Sequence, residues 1–313
     1  MTATAVVFPG QGAQHVGMGG PFHERFSVVR ELFAQADESL GRPLSRLCLE
    51  GPEAELKKTH NCQPAIFLVG SAVMRALESE GRLKRSEVAF AAGLSLGEYT
   101  ALAWAGAISF EDGLCLVARR GEAMQAASEA APSGMVSLLG ADLETAEAIA
   151  DEARGEGEIL SVANLLASGQ VVLSGSAAAC ARVPEVAASH GVRRAVPLKV
   201  AGAFHSALME PAAAALAETL ERTEIEEPAI PVISNVDARP SQDPETIRRN
   251  LARQVTHPVR WQESVEWMIR NGVTRFLEPA PGKVLTGLLR KIDREVEGVP
   301  LDDGDALQGE SGA

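Results

Sequence analysis

Glu87-Val88-Ala89-Phe90-Ala91-Ala92-Gly93-Leu94-Ser95-Leu96-Gly97-Glu98 is the stretch on which the fold turns. Residues 87–92 read as a short buried strand, and residues 98–105 as the helix that follows it. Between them lies Gly-x-Ser-x-Gly. The two glycines let the chain turn sharply enough to present the Ser95 hydroxyl at the strand's carboxyl end, beside a helix N-terminus. The bare pattern also fits an ordinary glycine-rich strand-to-helix turn. A strand before it and a helix after it favour the nucleophile reading.

Outward from this turn, strands and helices alternate. Residues 3–8 read as a buried strand running into Pro9-Gly10-Gln11-Gly12. Apolar residues at helical spacing predict helices over 22–40, with Gly41 as a stop, and over 64–80 and 110–127. After Pro132 the texture changes. Strands are expected over 135–139, 159–163, 170–174 and 194–198, with helices over 143–152 and 177–189, the β-α-β-β-α-β order of a ferredoxin-like unit. Helices over 207–221, 244–254, 261–271 and 282–292 and strands over 230–234 and 274–277 then resume the alternation, which implies a parallel sheet with covered faces. The expected organisation is a discontinuous large α/β domain (1–129 and 199–300) with a small ferredoxin-like subdomain inserted (130–198). The acidic, Gly/Ser-rich tail 301–313 is expected to be disordered.

The chain's 313 residues are long enough for such cores, and 46% hydrophobic with 23% charged residues excludes a wholly disordered chain. A net charge of −13, from 42 acidic against 29 basic side chains, argues against sequence-wide affinity for nucleic acid or an anionic membrane. No basic segment precedes the first apolar stretch, and the uncharged run 159–181 is broken by Asn164, Ser168, Gln170 and Ser174. A cytoplasmic protein without a membrane span is expected. Cys48, Cys62, Cys115 and Cys180 lie far apart, with no metal-ligand spacing, and read as buried reduced thiols.

A serine nucleophile needs a base. Five histidines, His15, His23, His60, His190 and His257, sit in polar stretches expected to be exposed. His205 instead lies in Gly202-Ala203-Phe204-His205-Ser206, a loop between a strand and a helix at the sheet's edge. A lone histidine there is more often structural than catalytic, and pairing with Ser95 raises it to a candidate. The Gly10-Gln11-Gly12 turn could offer backbone N–H groups to an oxyanion, or be a simple turn. Arg119-Arg120 interrupts an apolar helix. Neighbours on a helix point about 100° apart, so one arginine could face inward toward an anion while the other is solvated; a pair on the surface is the default reading.

With these residues in place, the chain resembles a family: the malonyl-CoA:acyl carrier protein transacylases of fatty acid synthesis and the related acyltransferase domains of polyketide synthases. The resemblance runs from Phe8-Pro9-Gly10-Gln11-Gly12-Ala13-Gln14 to Pro281-Gly282-Lys283-Val284-Leu285-Thr286-Gly287. Between these stand Gly93-Leu94-Ser95-Leu96-Gly97-Glu98-Tyr99, Arg120-Gly121-Glu122-Ala123-Met124-Gln125, Gly202-Ala203-Phe204-His205-Ser206-Ala207-Leu208-Met209 and Asn235-Val236-Asp237. It implies an α/β-hydrolase-like parallel-sheet core with the ferredoxin-like insertion. Ser95 would be acylated, with His205 as its base, oriented by the backbone carbonyl of Gln254. The backbone N–H groups of Gln11 and Leu96 would form the oxyanion hole, and Arg120 would pair with the malonyl carboxylate. Malonyl-CoA and the phosphopantetheine thiol of acyl carrier protein would be the substrates, with no cofactor or metal, no nucleic acid or membrane partner, and a monomeric enzyme. The carrier is generally acidic, so a basic docking site is expected among Arg193, Arg194, Lys199, Lys283, Arg290 and Lys291.

Three positions depart from the family pattern. Leu94 stands where a histidine is usual. Asn164-Leu165-Leu166-Ala167-Ser168-Gly169-Gln170 keeps only the first Asn and the Gln of a common Asn-x-Asn-Ser-Pro-x-Gln, and Ala201 replaces a common serine. Phe204 and Leu96 resemble malonyl-selective members. Three alternatives stay open: a serine esterase or thioesterase of the α/β-hydrolase or patatin kind, a carrier-binding module without activity, and a discrete acyltransferase serving a polyketide synthase.

Overall fold

The computed structural model describes residues 3–302. The tail expected over 301–313 lies, from 303 onward, outside the described residues. Two sheets organise the chain. The strands are β1 (Ala3–Phe8), β2 (Val88–Gly93), β3 (Ser133–Leu139), β4 (Leu160–Ala167), β5 (Gln170–Ser176), β6 (Arg194–Pro197), β7 (Val232–Ile233), β8 (Pro240–Ser241), β9 (Val273–Pro279) and β10 (Glu297–Leu301). One sheet has the order β10-β9-β1-β2-β7-β8 and the other β4-β5-β3-β6. The six-stranded sheet is parallel except where β8 turns back on β7. The four-stranded sheet is antiparallel throughout, in the ferredoxin-like order.

Alternation along β1 explains how the larger sheet is buried on both faces. Val6 and Phe8 join one apolar cluster with the helices Thr59–Ser79 and Phe110–Ala130. Ala5 and Val7 point the other way, to Trp261, Val265 and Met268 of the helix Trp261–Arg270 and to Leu285 and Leu289 of the helix Val284–Ile292. The smaller sheet carries helices on one face only. Val136, Leu138, Leu160 and Leu173 pack on Ala146, Ile149 and Val183 of the helices Leu143–Ala153 and Ala177–Ser189. Its other face turns Met135 and Val172 toward the larger sheet. Backbone bonds also tie the smaller sheet to the segment leading into the helix Trp261–Arg270: Leu165 N–H donates to Val259 O and Val259 N–H to Ala163 O, both at 2.9 Å.

Several elements differ from the sequence reading. The helix expected over 22–40 is two, Gly20–Arg25 and Ser27–Leu40, because Phe26 adopts an extended conformation between them. The helix expected from 64 begins at Thr59 and carries Pro64 in its interior. A proline there deprives the carbonyl four residues back of its donor. That carbonyl, His60 O, accepts instead from Arg42 Nη2 at 3.0 Å, so the helix continues. Short helices at Leu44–Glu50 and Glu53–Leu56 and the strands β8 and β10 were not expected. Leu301, placed in the tail by the sequence reading, is buried in β10. Cys48, Cys62 and Cys180 are buried, whereas Cys115 is exposed, on the outer face of its helix.

Candidate active site

The turn after β2 is built by steric exclusion. A Cβ on Gly93 would lie 1.9 Å from the carbonyl carbon of Gly97, and one on Gly97 would lie 2.1 Å from Phe8 O. Only glycine lets strand, turn and β1 approach this closely. Ser95 takes φ 54° and ψ −102° at the head of the helix Leu96–Trp104. Such backbone costs of order 1–3 kcal/mol and persists only when its surroundings hold it. Here Asn235 does so: its Oδ1 accepts from Ser95 N–H and its Nδ2 donates to Gly93 O, both at 2.7 Å. Gln254 Nε2 donates to Ser95 O at 3.0 Å.

His205, 4% exposed, also has a positive φ, 58°. Its Nε2 lies 2.8 Å from Ser95 Oγ and its Nδ1 lies 2.8 Å from Gln254 O. A carbonyl oxygen only accepts, so Nδ1 carries the ring proton and Nε2 presents its lone pair to the serine. Burial, with the Arg120 charge beside it, pushes the imidazole down to about 4 from the ordinary 6.5. At neutral pH the ring is therefore uncharged and able to take a proton.

Arg120 is 1% exposed on the helix Phe110–Ala130, while Arg119 points to solvent and pairs with Glu122 at 2.9 Å. The 100° offset between neighbours thus sends one guanidinium inward. Its Nη1 donates to Gln63 Oε1 at 2.7 Å, and its Nη2 donates to Ser95 Oγ at 2.9 Å and Gln254 Oε1 at 3.0 Å. The guanidinium lies over the Tyr99 ring, 5.4 Å from its centroid. Its Nε has no hydrogen-bond partner. A buried cation bonded only to neutral groups, with a donor to spare, is suited to an incoming carboxylate.

Ser95, His205 and Arg120 open into one cavity of about 420 Å³. Gly10, Gln11, Leu94 and Phe204 contribute from the side of the larger sheet, and Met135, Asn164, Leu166, Gln170 and Val172 from the smaller one. Val284, Gly287, Leu288 and Lys291 line it from the helix Val284–Ile292, with Lys291 Nζ donating to Gln170 Oε1 at 2.8 Å. Leu96 is the first residue of its helix, so its N–H has no acceptor within the helix. Gln11 lies on the cavity wall, on the turn packed against Leu94. Hence Ser95, His205, Gln254, Arg120, Gln11 and Leu96 come together.

The other histidines stand apart from this group. His15, His190 and His257 are exposed, while His23 and His60 are half-buried rather than exposed. All six basic residues proposed for docking are exposed, and Lys291 alone among them lines the cavity. Three residues without a role in the sequence reading are in the site. Glu98 is a polar residue in an otherwise apolar helical run, a signal the sequence does carry; Gln63 lies just ahead of the helix expected from 64, and Asn235 just past the strand expected over 230–234. No group of three His, Cys, Asp or Glu among the described residues could hold a metal, and no described helix is long and apolar enough to cross a membrane.

A serine paired with a histidine over a parallel sheet, with donors nearby for an oxyanion, is the equipment of an acyl-transfer enzyme. The acyl transferase domain family matches residues 5–301. The malonyl CoA-acyl carrier protein transacylase of Bacillus subtilis is 41% identical, with 98% of this chain and 96% of that protein aligned. That of Escherichia coli is 39% identical over 98% of both. An acyl carrier protein S-malonyltransferase of Vibrio cholerae superposes with a TM-score of 0.93 at 42% identity, covering 98% of this chain and 99% of that one. A malonyl-transacylase solved with a type II polyketide synthase acyl carrier protein gives 0.93 at 40%, with 98% of each chain covered. The chain belongs to the malonyl-CoA:acyl carrier protein transacylase family of acyltransferases.

Proposed function

We propose that this enzyme moves a malonyl group from malonyl-CoA to the phosphopantetheine thiol of the acyl carrier protein of fatty acid synthesis, through an ester on Ser95. The observation that carries the reading is the buried Arg120 guanidinium, its hydrogen bonds all to neutral groups, with Nη2 2.9 Å from Ser95 Oγ. A malonyl thioester has a carboxylate one methylene from its reacting carbonyl. The carboxylate displaces the serine hydroxyl from Nη2 and takes the unpartnered Nε, which brings the thioester carbonyl to Oγ. An acetyl group would offer Nη2 and Nε no carboxylate to accept from them.

His205 Nε2 accepts the Ser95 proton as Oγ bonds to the carbonyl carbon, and the oxyanion is held by the N–H groups of Gln11 and Leu96. The C–S bond then breaks, and the protonated imidazole gives its proton to the departing CoA sulfur. In the second half the carrier's thiol gives its proton to Nε2, its sulfur attacks the ester carbon, and Ser95 leaves with the proton. Gln254 O stabilises the imidazolium in both halves. This cycle uses only groups of the chain and its substrates. We read residues 1–129 with 199–300 as the catalytic domain and 130–198 as a subdomain closing the cleft, in a cytoplasmic monomer with no nucleic-acid or membrane partner. The basic residues from Lys283 to Lys291 are the proposed rim for an acidic carrier.

Competition between malonyl-CoA and acetyl-CoA, read by mass of the Ser95 peptide, tests this. A malonyl ester discharged by carrier protein is expected. An adduct that only water discharges would point to a hydrolase, and an acetyl adduct of equal yield would discard the Arg120 clamp.

A further inference from the structure

We infer that Glu98 is a positioning residue for the reaction: it holds Gln254 and Asn235 in register with Ser95 and supplies the buried counter-charge to Arg120 from one amide away. This rests on the malonyl-transfer reading above.

Glu98 sits in the first turn of the helix that Ser95 opens, yet it is only 3% exposed. A carboxylate at that place ordinarily faces water and the helix dipole. This one points inward. Its Oε2 accepts from Gln254 Nε2 at 2.6 Å and from Asn235 N–H at 3.1 Å. Those two residues are the ones that grip the strained Ser95 backbone, Asn235 at its N–H and Gln254 at its C=O. Gln254 also supplies the carbonyl that receives His205 Nδ1. One carboxylate thus braces the supports of both nucleophile and base, although it touches neither.

The same contacts fix the sense of the Gln254 amide. Its Oε1 faces the cation, accepting from Arg120 Nη2 at 3.0 Å, and its Nε2 faces the anion. Guanidinium, amide and carboxylate form a relay in which charge is balanced without a direct ion pair. A carboxylate bonded directly to Arg120 would compete with the substrate's own carboxylate. Set back by an amide, Glu98 offsets the buried positive charge and leaves Nη2 and Nε free to engage malonyl. The ionisable groups acting on Glu98 are Arg120 and Asp237, and it acts in turn on Tyr99.

The two roles give a signature that a merely structural carboxylate would not. Loss of the brace slows the chemical step. Loss of the negative charge strengthens the pull of Arg120 on the malonyl carboxylate. The test uses Glu98→Gln and Glu98→Ala in single-turnover acylation by malonyl-CoA at pH 8, with Ser95 labelling by a fluorophosphonate measured in parallel. In Glu98→Ala the acylation rate at saturation is expected to fall about 100-fold and labelling at least tenfold, with half-saturation unchanged or lower. Glu98→Gln, which keeps an acceptor toward the two N–H groups, should recover part of both losses while staying several-fold below the wild-type rates. Wild-type rates in either folded variant would overturn the proposal, as would half-saturation rising in step with the loss of rate. Should Glu98→Ala fail to fold, Glu98→Gln decides alone: labelling and acylation slowed several-fold with half-saturation not raised is the expected result, and any other overturns it. Labelling requires only Ser95 and His205, so it reads the brace even if wild-type enzyme fails to take malonyl, a failure that would count against the substrate reading instead.

Discussion

The two walls of the cleft are built on different principles. The wall from the larger sheet carries Ser95 and His205 at φ 54° and 58°, with Arg120 and Glu98 buried behind them. The wall from the smaller sheet offers Met135, Asn164, Leu166, Gln170 and Val172, all uncharged, from antiparallel strands. Reactivity is thus concentrated where strand ends, loops and helix starts converge, and can be braced from several directions at once. The facing sheet gives shape, dryness and amide hydrogen bonds. Changes in the first wall should act on rate, and changes in the second on binding.

Substitutions on either wall put this contrast to the test. The largest effect is expected for His205→Ala, which removes the base: single-turnover acylation of Ser95 should drop about 1,000-fold or more, as losing a dyad partner does. Near-normal acylation would abolish the contrast altogether. Arg120→Ala should cut malonyl transfer about 100-fold while acetyl transfer gains relative to it, measured as the ratio of kcat/KM for the two thioesters. On the facing wall, Asn164→Ala and Leu166→Ala should each raise the KM for malonyl-CoA about three- to tenfold with kcat within about twofold, the mark of binding shared by ground and transition states. A fall in kcat alone would move chemistry into that wall.

The smallest effect concerns stability. Burial raises Glu98 from 4.5 to about 7, against the hydrogen bonds and the Arg120 charge that lower it. With the folded value above the unfolded one, the native state holds more protons between those limits. The contribution of Glu98 is then full below about pH 4.5 and is lost as pH rises through 7. Relative to Glu98→Gln, wild-type protein should lose stability of order 1–3 kcal/mol from pH 4.5 to 8. Melting temperatures of the pair at both ends of that range check it, and a constant gap would refute it.

The parts of this picture that the sequence reveals are those with local signals. Gly-x-Ser-x-Gly between an apolar strand and a helix marks Ser95, whereas Arg119-Arg120 reads locally as a surface pair by default and only the resemblance to a family singles out Arg120. The helix Pro244–Gln254 and the strand Ala3–Phe8 have the bounds their periodicity and punctuation predict. Gln254 is different. Its contacts with Arg120 and Ser95 span 134 and 159 positions, so no local pattern announces it, and resemblance to a family was needed. Pro64 misled because the partner replacing its missing donor, Arg42, comes from a separate helix-flanking turn. The strand Glu297–Leu301 was invisible for a related reason. Gly298 and Pro300 weaken it as a local strand, and its place depends on pairing with Val273–Pro279.

The two backbone bonds between Val259 and the strand Leu160–Ala167 have a consequence for timing. They fall immediately beside Asn164, on the cleft, and only a few residues past Gln254. The two walls are therefore tied to each other by main-chain bonds at the edge of the cleft. A chamber of about 420 Å³ is the size for one small ligand. In the cycle proposed above, CoA and the carrier's arm would use this one chamber in turn, as in a revolving door with a single compartment.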